Sequence, residues 1–176
     1  QGIGDDYKLV LNDEAAQDAD ASFMNSTLPD ATNIRVGDSG NPNTNADTGT
    51  YMCYAWSPVQ GYSKFGKYVG NGSATGVFNY TGFKPAWLMI KKYNTAADSW
   101  VILDDKRNPT NVVNGRLFPD LSNAESTSTD MVDFLSNGFK LRTSGSAYNG
   151  DGVGYIYMAF AENPFVTSTG IPTTAR

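Results

Sequence analysis

The segments AWLMIKK at residues 86–92 and YIYMAFA at residues 155–161 decide the fold class. Both are rich in the β-branched, aromatic and aliphatic residues that favour strands. Neither alternates between apolar and polar residues, so each strand is apolar on both faces. In an antiparallel protein such strands lie in the centre of a sheet. We therefore predict that a second sheet covers one face of these strands and that another chain or domain covers the other.

Shorter strand-like runs surround these two segments. They lie at residues 8–11, 34–36, 51–56, 65–69, 77–80, 100–104, 131–135 and 139–142. Turns rich in asparagine and glycine separate them, because both residues tolerate the positive φ of tight turns. Residues 13–20 and 122–128 are the candidate helices, but both lack an apolar stripe and are expected as loops or single turns. The sequence thus predicts an all-β, antiparallel β-sandwich with less than about a tenth of its residues in helix.

Three pairs of segments resemble each other in the same order along the chain. GTYMCYAW (49–56) parallels VGYIYMAF (153–160), NIRVG (33–37) parallels GFKLR (138–142), and YKLVLNDEAA (7–16) loosely parallels GRLFPDLSNAE (115–125). In the first pair Tyr51 matches Tyr155 and Trp56 matches Phe160.

This order predicts three regions. Residues 1–60 form the C-terminal half of a related β unit, residues 61–165 form a complete unit, and residues 166–176 form a polar tail. The alternative is that all-β chains made of apolar strands and Asn/Gly turns resemble one another through composition alone.

Composition excludes several functional classes. The net charge of -5 and the scattered basic residues argue against a nucleic-acid partner, which needs clustered Lys and Arg. No apolar stretch is long enough to insert in a membrane. The absence of an initiator Met or signal-type segment at Gln1 suggests a processed chain or a piece of a longer protein. The single cysteine, Cys53, is expected as a buried apolar residue in a chain that folds in a reducing cytoplasm.

Catalytic chemistry has few candidates in this sequence. The absence of histidine removes Ser-His-Asp triads and histidine metal sites. Paired carboxylates remain, because glycoside hydrolysis needs only two; the pairs are Asp104 with Asp105 and Asp130 with Asp133. An aspartate at a strand end is usually a turn-former or an ion-pair partner. We therefore expect no catalytic residue and no enzymatic activity.

Two turns could hold a ligand. Residues 149–152 (NGDG) and 103–105 (LDD) offer oxygen ligands for calcium, although Asx-rich hairpin turns explain both patterns without a metal. We predict no metal site and no cofactor. For a sugar, the best candidate is Tyr148 beside Asn149 and Asp151, an aromatic residue next to planar polar groups.

The second unit resembles a known domain. Its most specific stretches are SKFGKYVGNGS (63–73), TGFKPAWLMIKK (81–92) and MAFAENPF (158–165). They resemble an uncharacterised domain of tail-fibre-like and other virion proteins of marine bacteriophages. The resemblance covers residues 61–165 and implies a jelly-roll or concanavalin-like sandwich.

The resemblance also implies a setting and partners. It implies a structural or receptor-binding module of a phage fibre or virion surface, folded in the host cytoplasm and extracellular after release. The expected partners are further copies of the chain, with a trimer favoured, or neighbouring virion proteins, and a host surface glycan. The alternatives are a carboxylate-based polysaccharide-degrading enzyme and a cellular extracellular adhesin or filament subunit.

Overall fold

Strands make up almost all the regular structure in the computed structural model, which describes residues 3–38, 40–42, 44–95 and 98–162. The strands are β1 (Tyr7–Lys8), β2 (Asp18–Ala19), β3 (Ser63–Val69), β4 (Phe78–Tyr80), β5 (Pro85–Lys92), β6 (Val101–Asp104), β7 (Arg116–Leu117), β8 (Val132–Leu135), β9 (Gly138–Leu141) and β10 (Gly154–Ala161). One short helix, α1 (Ser146–Asn149), precedes β10. No helix in the described part of the chain is long and apolar enough to cross a membrane.

The strands form an antiparallel sandwich. Its larger sheet has five strands in the order β3-β10-β5-β6-β7, and its smaller sheet has three in the order β4-β9-β8. A separate pair, β1 with β2, lies in the N-terminal region. The prediction of an all-β antiparallel β-sandwich is confirmed. The finer comparison with a jelly roll stays a prediction.

The core lies between the two sheets. The larger sheet contributes Tyr68, Leu88, Ile90, Val101, Leu103, Tyr155, Tyr157 and Ala159, and the smaller sheet contributes Val132, Phe134, Phe139 and Leu141. Phe139 of β9 is fully buried, and its ring centroid lies 5.1 Å from that of Tyr157 and 6.3 Å from that of Tyr68. A Cβ atom at Gly66 would lie 2.7 Å from the Tyr157 ring, so only glycine lets this ring cross β3.

Seven predicted strands from residue 65 onward form, with ends that shift by a residue or two. The N-terminal third differs. Residues 34–36 and 51–56 form no strand, and the predicted strand at 8–11 is limited to β1 at Tyr7–Lys8. Cys53, expected to be buried, is exposed.

The strand prediction at residues 51–56 is wrong for this chain, since the segment forms no ladder with any described strand. Met52 is 79% exposed and Tyr54 is 72% exposed. Tyr51 is 44% exposed in an irregular segment, whereas Tyr155 is fully buried in β10, so the two matched tyrosines do not occupy equivalent sites. The domain boundaries after residues 60 and 165 stay predictions, and residues 166–176 lie outside the described part.

The buried tyrosines make alkaline stability a test of the core. Burial raises the pKa of Tyr148 to about 12 and also raises those of Tyr68, Tyr155 and Tyr157. In the unfolded chain these groups lose their protons near pH 10, so ionisation favours the unfolded state above that pH. We expect the melting temperature to fall progressively between about pH 10 and about pH 12. Circular dichroism melts with parallel tyrosinate absorbance measure this, and full titration of all ten tyrosines near pH 10 in a folded chain would contradict it.

Candidate functional site

The outer face of the larger sheet is apolar, although it points away from the core. It is formed by Phe65 on β3, Trp87 and Met89 on β5, Ile102 on β6, and Ile156, Met158 and Phe160 on β10; we call it the outer apolar face. All seven side chains are half-buried. In an ordinary half-solvated antiparallel sheet this face would carry polar residues. The apolar outer face is therefore a departure from this pattern.

An aromatic cluster occupies one end of this face. Phe160 lies at its centre, with its ring centroid 5.6 Å from Trp87, 6.0 Å from Phe65 and 5.7 Å from Tyr62. The register explains the cluster, because Phe160 stands directly opposite Trp87 in β5. Aromatic rings at these distances attract each other edge to face. The four rings thus form one contiguous cluster.

A shallow apolar groove follows the cluster along β10. Its volume is about 220 Å³, and it is lined chiefly by Phe65, Met89, Trp100, Ile156 and Met158. Met158 lies in the middle, opposite Met89 on one side and Phe65 on the other. Methionine side chains adapt to the shape of a partner, which suits a contact surface.

The N-terminal segment covers the far end of the face. Lys91 points outward from β5 yet is fully buried, because its ammonium group donates to the carbonyl oxygens of Glu14 at 2.9 Å and Asp98 at 2.6 Å. Trp100 donates its indole N–H to the carbonyl oxygen of Val10 at 3.0 Å. Burial lowers the pKa of Lys91 below its usual value, and nearby acidic groups, Asp120 first, oppose this shift. Part of the cover that we expected from another chain or domain is therefore supplied by residues 10–14 of the chain itself.

The predicted carboxylate pair Asp104 and Asp105 does not share a cleft. Asp104 accepts hydrogen bonds from Arg107 Nε at 2.6 Å and from the Arg107 backbone amide at 2.8 Å. Burial alone would raise the pKa of Asp104, but the hydrogen bonds and charge of Arg107 hold it below its usual value. Asp105 lines a separate cavity of about 60 Å³ that Asp104 does not reach.

The second predicted pair is also divided. Asp133 is buried in β8 and forms an ion pair with Arg142, whereas Asp130 is exposed in the preceding loop. The two carboxylates thus differ in both surroundings and accessibility. Within the described residues no group of three or more His, Cys, Asp or Glu side chains could hold a metal ion.

The structure buries two of the three residues of the predicted sugar site. Tyr148 is only 7% exposed and belongs to the core, so it offers no platform to a ligand. Asn149 is fully buried, and its side-chain amide donates to Asn71 Oδ1 at 2.9 Å and to the carbonyl oxygens of Ser73 and Thr143 at 2.8 Å each. Only Asp151 is exposed.

The fold explains why these residues turn inward. The Tyr148 ring packs on the core because α1 places it there, and Arg116 lies 6.0 Å from the ring centroid. Asn149 ties the loop at 71–73 to α1 and to Thr143 after β9. In the NGDG turn, the side chain of Asn149 is therefore already hydrogen-bonded within the protein and does not face a calcium ion.

Comparison with protein families gives a match over nearly the whole chain. A family model described as a domain of unknown function (DUF7483) matches residues 1–164. The chain belongs to the DUF7483 family. No curated protein and no solved structure matches this chain. The DUF7483 match includes the outer apolar face, the N-terminal segment over it and the exposed segment at 51–56.

The structural role of Asn149 gives a stability test. Replacing Asn149 with Ala removes the contacts of its amide with Asn71, Ser73 and Thr143 and leaves the buried carbonyl oxygen of Thr143 without this donor. We expect the free energy of unfolding to fall by about 2–4 kcal/mol. The matched control is Asp151→Ala two residues away, with an expected change below about 0.5 kcal/mol. Urea denaturation measures both variants, and equal stabilities would show that the Asn149 contacts are not structural.

Proposed function

We propose that this chain is a non-enzymatic structural module that assembles through its outer apolar face, as part of a phage fibre or virion surface. The observation that carries the proposal is the apolar character of both sides of the larger sheet. One side builds the core, and the other presents the aromatic cluster around Phe160 and the groove beside Met158. Contiguous exposed apolar surface on a folded protein is typical of an interaction site.

The size of the face suits a specific contact. It extends over four neighbouring strands, from Phe65 on β3 to Ile102 on β6. A stable protein–protein interface buries at least about 1,000 Å² in total, and its centre is rich in aromatic residues and methionine. Trp87, Met158 and Phe160 would form such a centre. Further copies of the chain, with a trimer favoured, and neighbouring virion proteins are the partners of this proposal.

The acidic residues support a structural role. Asp104 is held by Arg107, and Arg107 also donates to Glu125 at 2.8 Å, so these charges stabilise the loop after β6. Asp133 is held in the same way by Arg142. The viral setting rests on the resemblance in residues 61–165. The same resemblance is the basis for a host glycan as a further partner.

Light scattering on a paired set of variants tests the assembly. We expect the wild-type chain to associate at micromolar concentration. The Met158→Lys variant should associate at least about tenfold more weakly, because the ammonium group of the new lysine would lose its hydration in a closed interface. Lysine keeps the apolar stem over the sheet, so the monomer should still fold. Tyr80→Lys is the control, since Tyr80 is 63% exposed on the smaller sheet. Equal association of both variants would rule out the outer apolar face.

A degradation assay tests the enzymatic alternative. The wild-type chain and an Asp104→Asn, Asp105→Asn double variant are incubated with bacterial surface polysaccharide, and new reducing ends are measured. We expect no turnover by either protein. Turnover by the wild type that the double variant loses would replace the structural proposal with a glycosidase.

A further inference from the structure

In the described part of the chain, the outer edge of β3 is open along most of its length. β3 is the first strand of the five-stranded sheet, and it pairs with β10 on one side only. Just outside its two ends, the carbonyl oxygen of Tyr62 accepts a hydrogen bond from the amide of Ala161, and the amide of Gly70 donates to the carbonyl oxygen of Val153. Because backbone groups alternate in direction along a strand, the even-numbered residues of β3 direct their N–H and C=O groups toward β10. Its odd-numbered residues direct theirs toward the opposite side, where Ser63 is bridged to Val59.

The rest of that side carries no strand among the described residues. The backbone N–H and C=O groups of Phe65, Lys67 and Val69 therefore face away from the sheet. Val69 is also 58% exposed at the end of this edge. A row of open backbone groups is a template onto which another strand can add.

The segment at residues 51–56 has the complementary properties. Within the described residues no backbone hydrogen bond involves residues 52–56. Its large side chains are exposed, with Met52 at 79%, Tyr54 at 72% and Trp56 at 57%. Its sequence, YMCYAW, parallels YIYMAF at 155–160, which forms the central strand β10. The segment thus has the composition of a strand but pairs with none of the described strands.

We infer that residues 51–56 of a second copy of this chain add as an extra strand to the free edge of β3. Each copy would accept one segment and donate its own, so that a closed ring of copies satisfies every edge. This inference rests on the proposed structural role, and it names the partner and the contact.

Residues 51–56 form no ladder with their own β3, although Ser57 and Val59, which follow them, contact Ser63 at its start. The Tyr51 hydroxyl lies 2.9 Å from the amide of Ala46 and 3.2 Å from the carbonyl oxygen of Pro42. An open cavity of about 460 Å³ lies between residues 53–57 and residues 29–34. The segment is therefore anchored beside the N-terminal region without being closely packed there.

Charge argues against direct pairing between the β3 edges of two copies. β3 carries Lys64 and Lys67, and two such edges side by side would bring like charges together. Residues 51–57 (YMCYAWS) contain no charged side chain. The uncharged segment can approach the two lysines without repulsion, which favours it over a second β3 strand.

A backbone-blocking variant tests the edge. Lys67→Pro removes the one N–H that points outward at the middle of the edge and leaves the hydrogen bonds to β10 in place. We expect association in light scattering to fall at least tenfold. Lys67→Ala is the matched control, because it removes the same charge but keeps the N–H, and it should associate like the wild type. Circular dichroism verifies that both variants fold.

A cysteine cross-link tests the identity of the strand. Two chains are mixed and oxidised: the wild type, with Cys53 as its single cysteine, and a Cys53→Ser, Val69→Cys variant. A disulfide between Cys53 of the wild type and the thiol introduced at position 69 of the variant can form only between copies. Non-reducing gels with peptide mass analysis detect it. A Val69→Cys variant that retains Cys53, oxidised at high dilution, reports pairing within one chain.

The inference requires both loss of association in Lys67→Pro and the cross-link between copies. An intramolecular disulfide at high dilution, without a link between copies, would show that the segment pairs with its own β3 and would overturn the inference. Normal association of the Lys67→Pro variant would also overturn the inference. If the Met158→Lys variant nevertheless lost association, the proposed function would still stand. A chain that stays monomeric at all concentrations would contradict both.

Discussion

The cross-strand contacts of β10 are the interaction on which the rest of the structure depends. β10 pairs along its length with β3 on one side and β5 on the other, and no other described strand holds these two together. Its inner residues, Tyr155, Tyr157 and Ala159, pack on the smaller sheet. Its outer residues belong to a face that is apolar as well. Burying each large apolar side chain contributes about 1.5–3 kcal/mol, so a strand with two such faces stabilises the sandwich and leaves further surface to cover.

Two buried polar side chains hold loops and the N-terminal segment against this sandwich. Asn149 joins the loop before Gly76 to α1 and to Thr143, and Lys91 holds the N-terminal segment over the larger sheet. Both side chains are fully buried and both bond to backbone carbonyl oxygens. Buried polar groups with complete partners fix one arrangement of loops, because any alternative would leave them without hydrogen bonds.

The sequence predicts the strands from residue 65 onward because apolar composition, turn residues and neighbouring strands all agree there. At residues 51–56 the composition is equally strand-like, yet a strand also needs a partner for its backbone groups, and that requirement is not visible in a local pattern. The exposed position predicted for Tyr148 fails for a related reason. Its polar sequence neighbours suggest a surface loop, whereas the three-dimensional structure places the ring in the core. The contact between Lys91 and Glu14 left no signal, because the acceptor is a backbone carbonyl that every residue has.

The position of β10 along the chain has a consequence for biosynthesis. The strand that occupies the middle of the larger sheet is the last described strand to leave the ribosome, and it follows β3 by more than eighty residues. Until it emerges, β3 has no partner in the sheet, and β5 exposes one edge together with the apolar residues of both its faces. Long-range pairing of this kind folds slowly and leaves apolar surface open to aggregation during synthesis. Translation speed and chaperone access over the last third of the chain should therefore influence the yield of folded protein more than the same factors acting earlier.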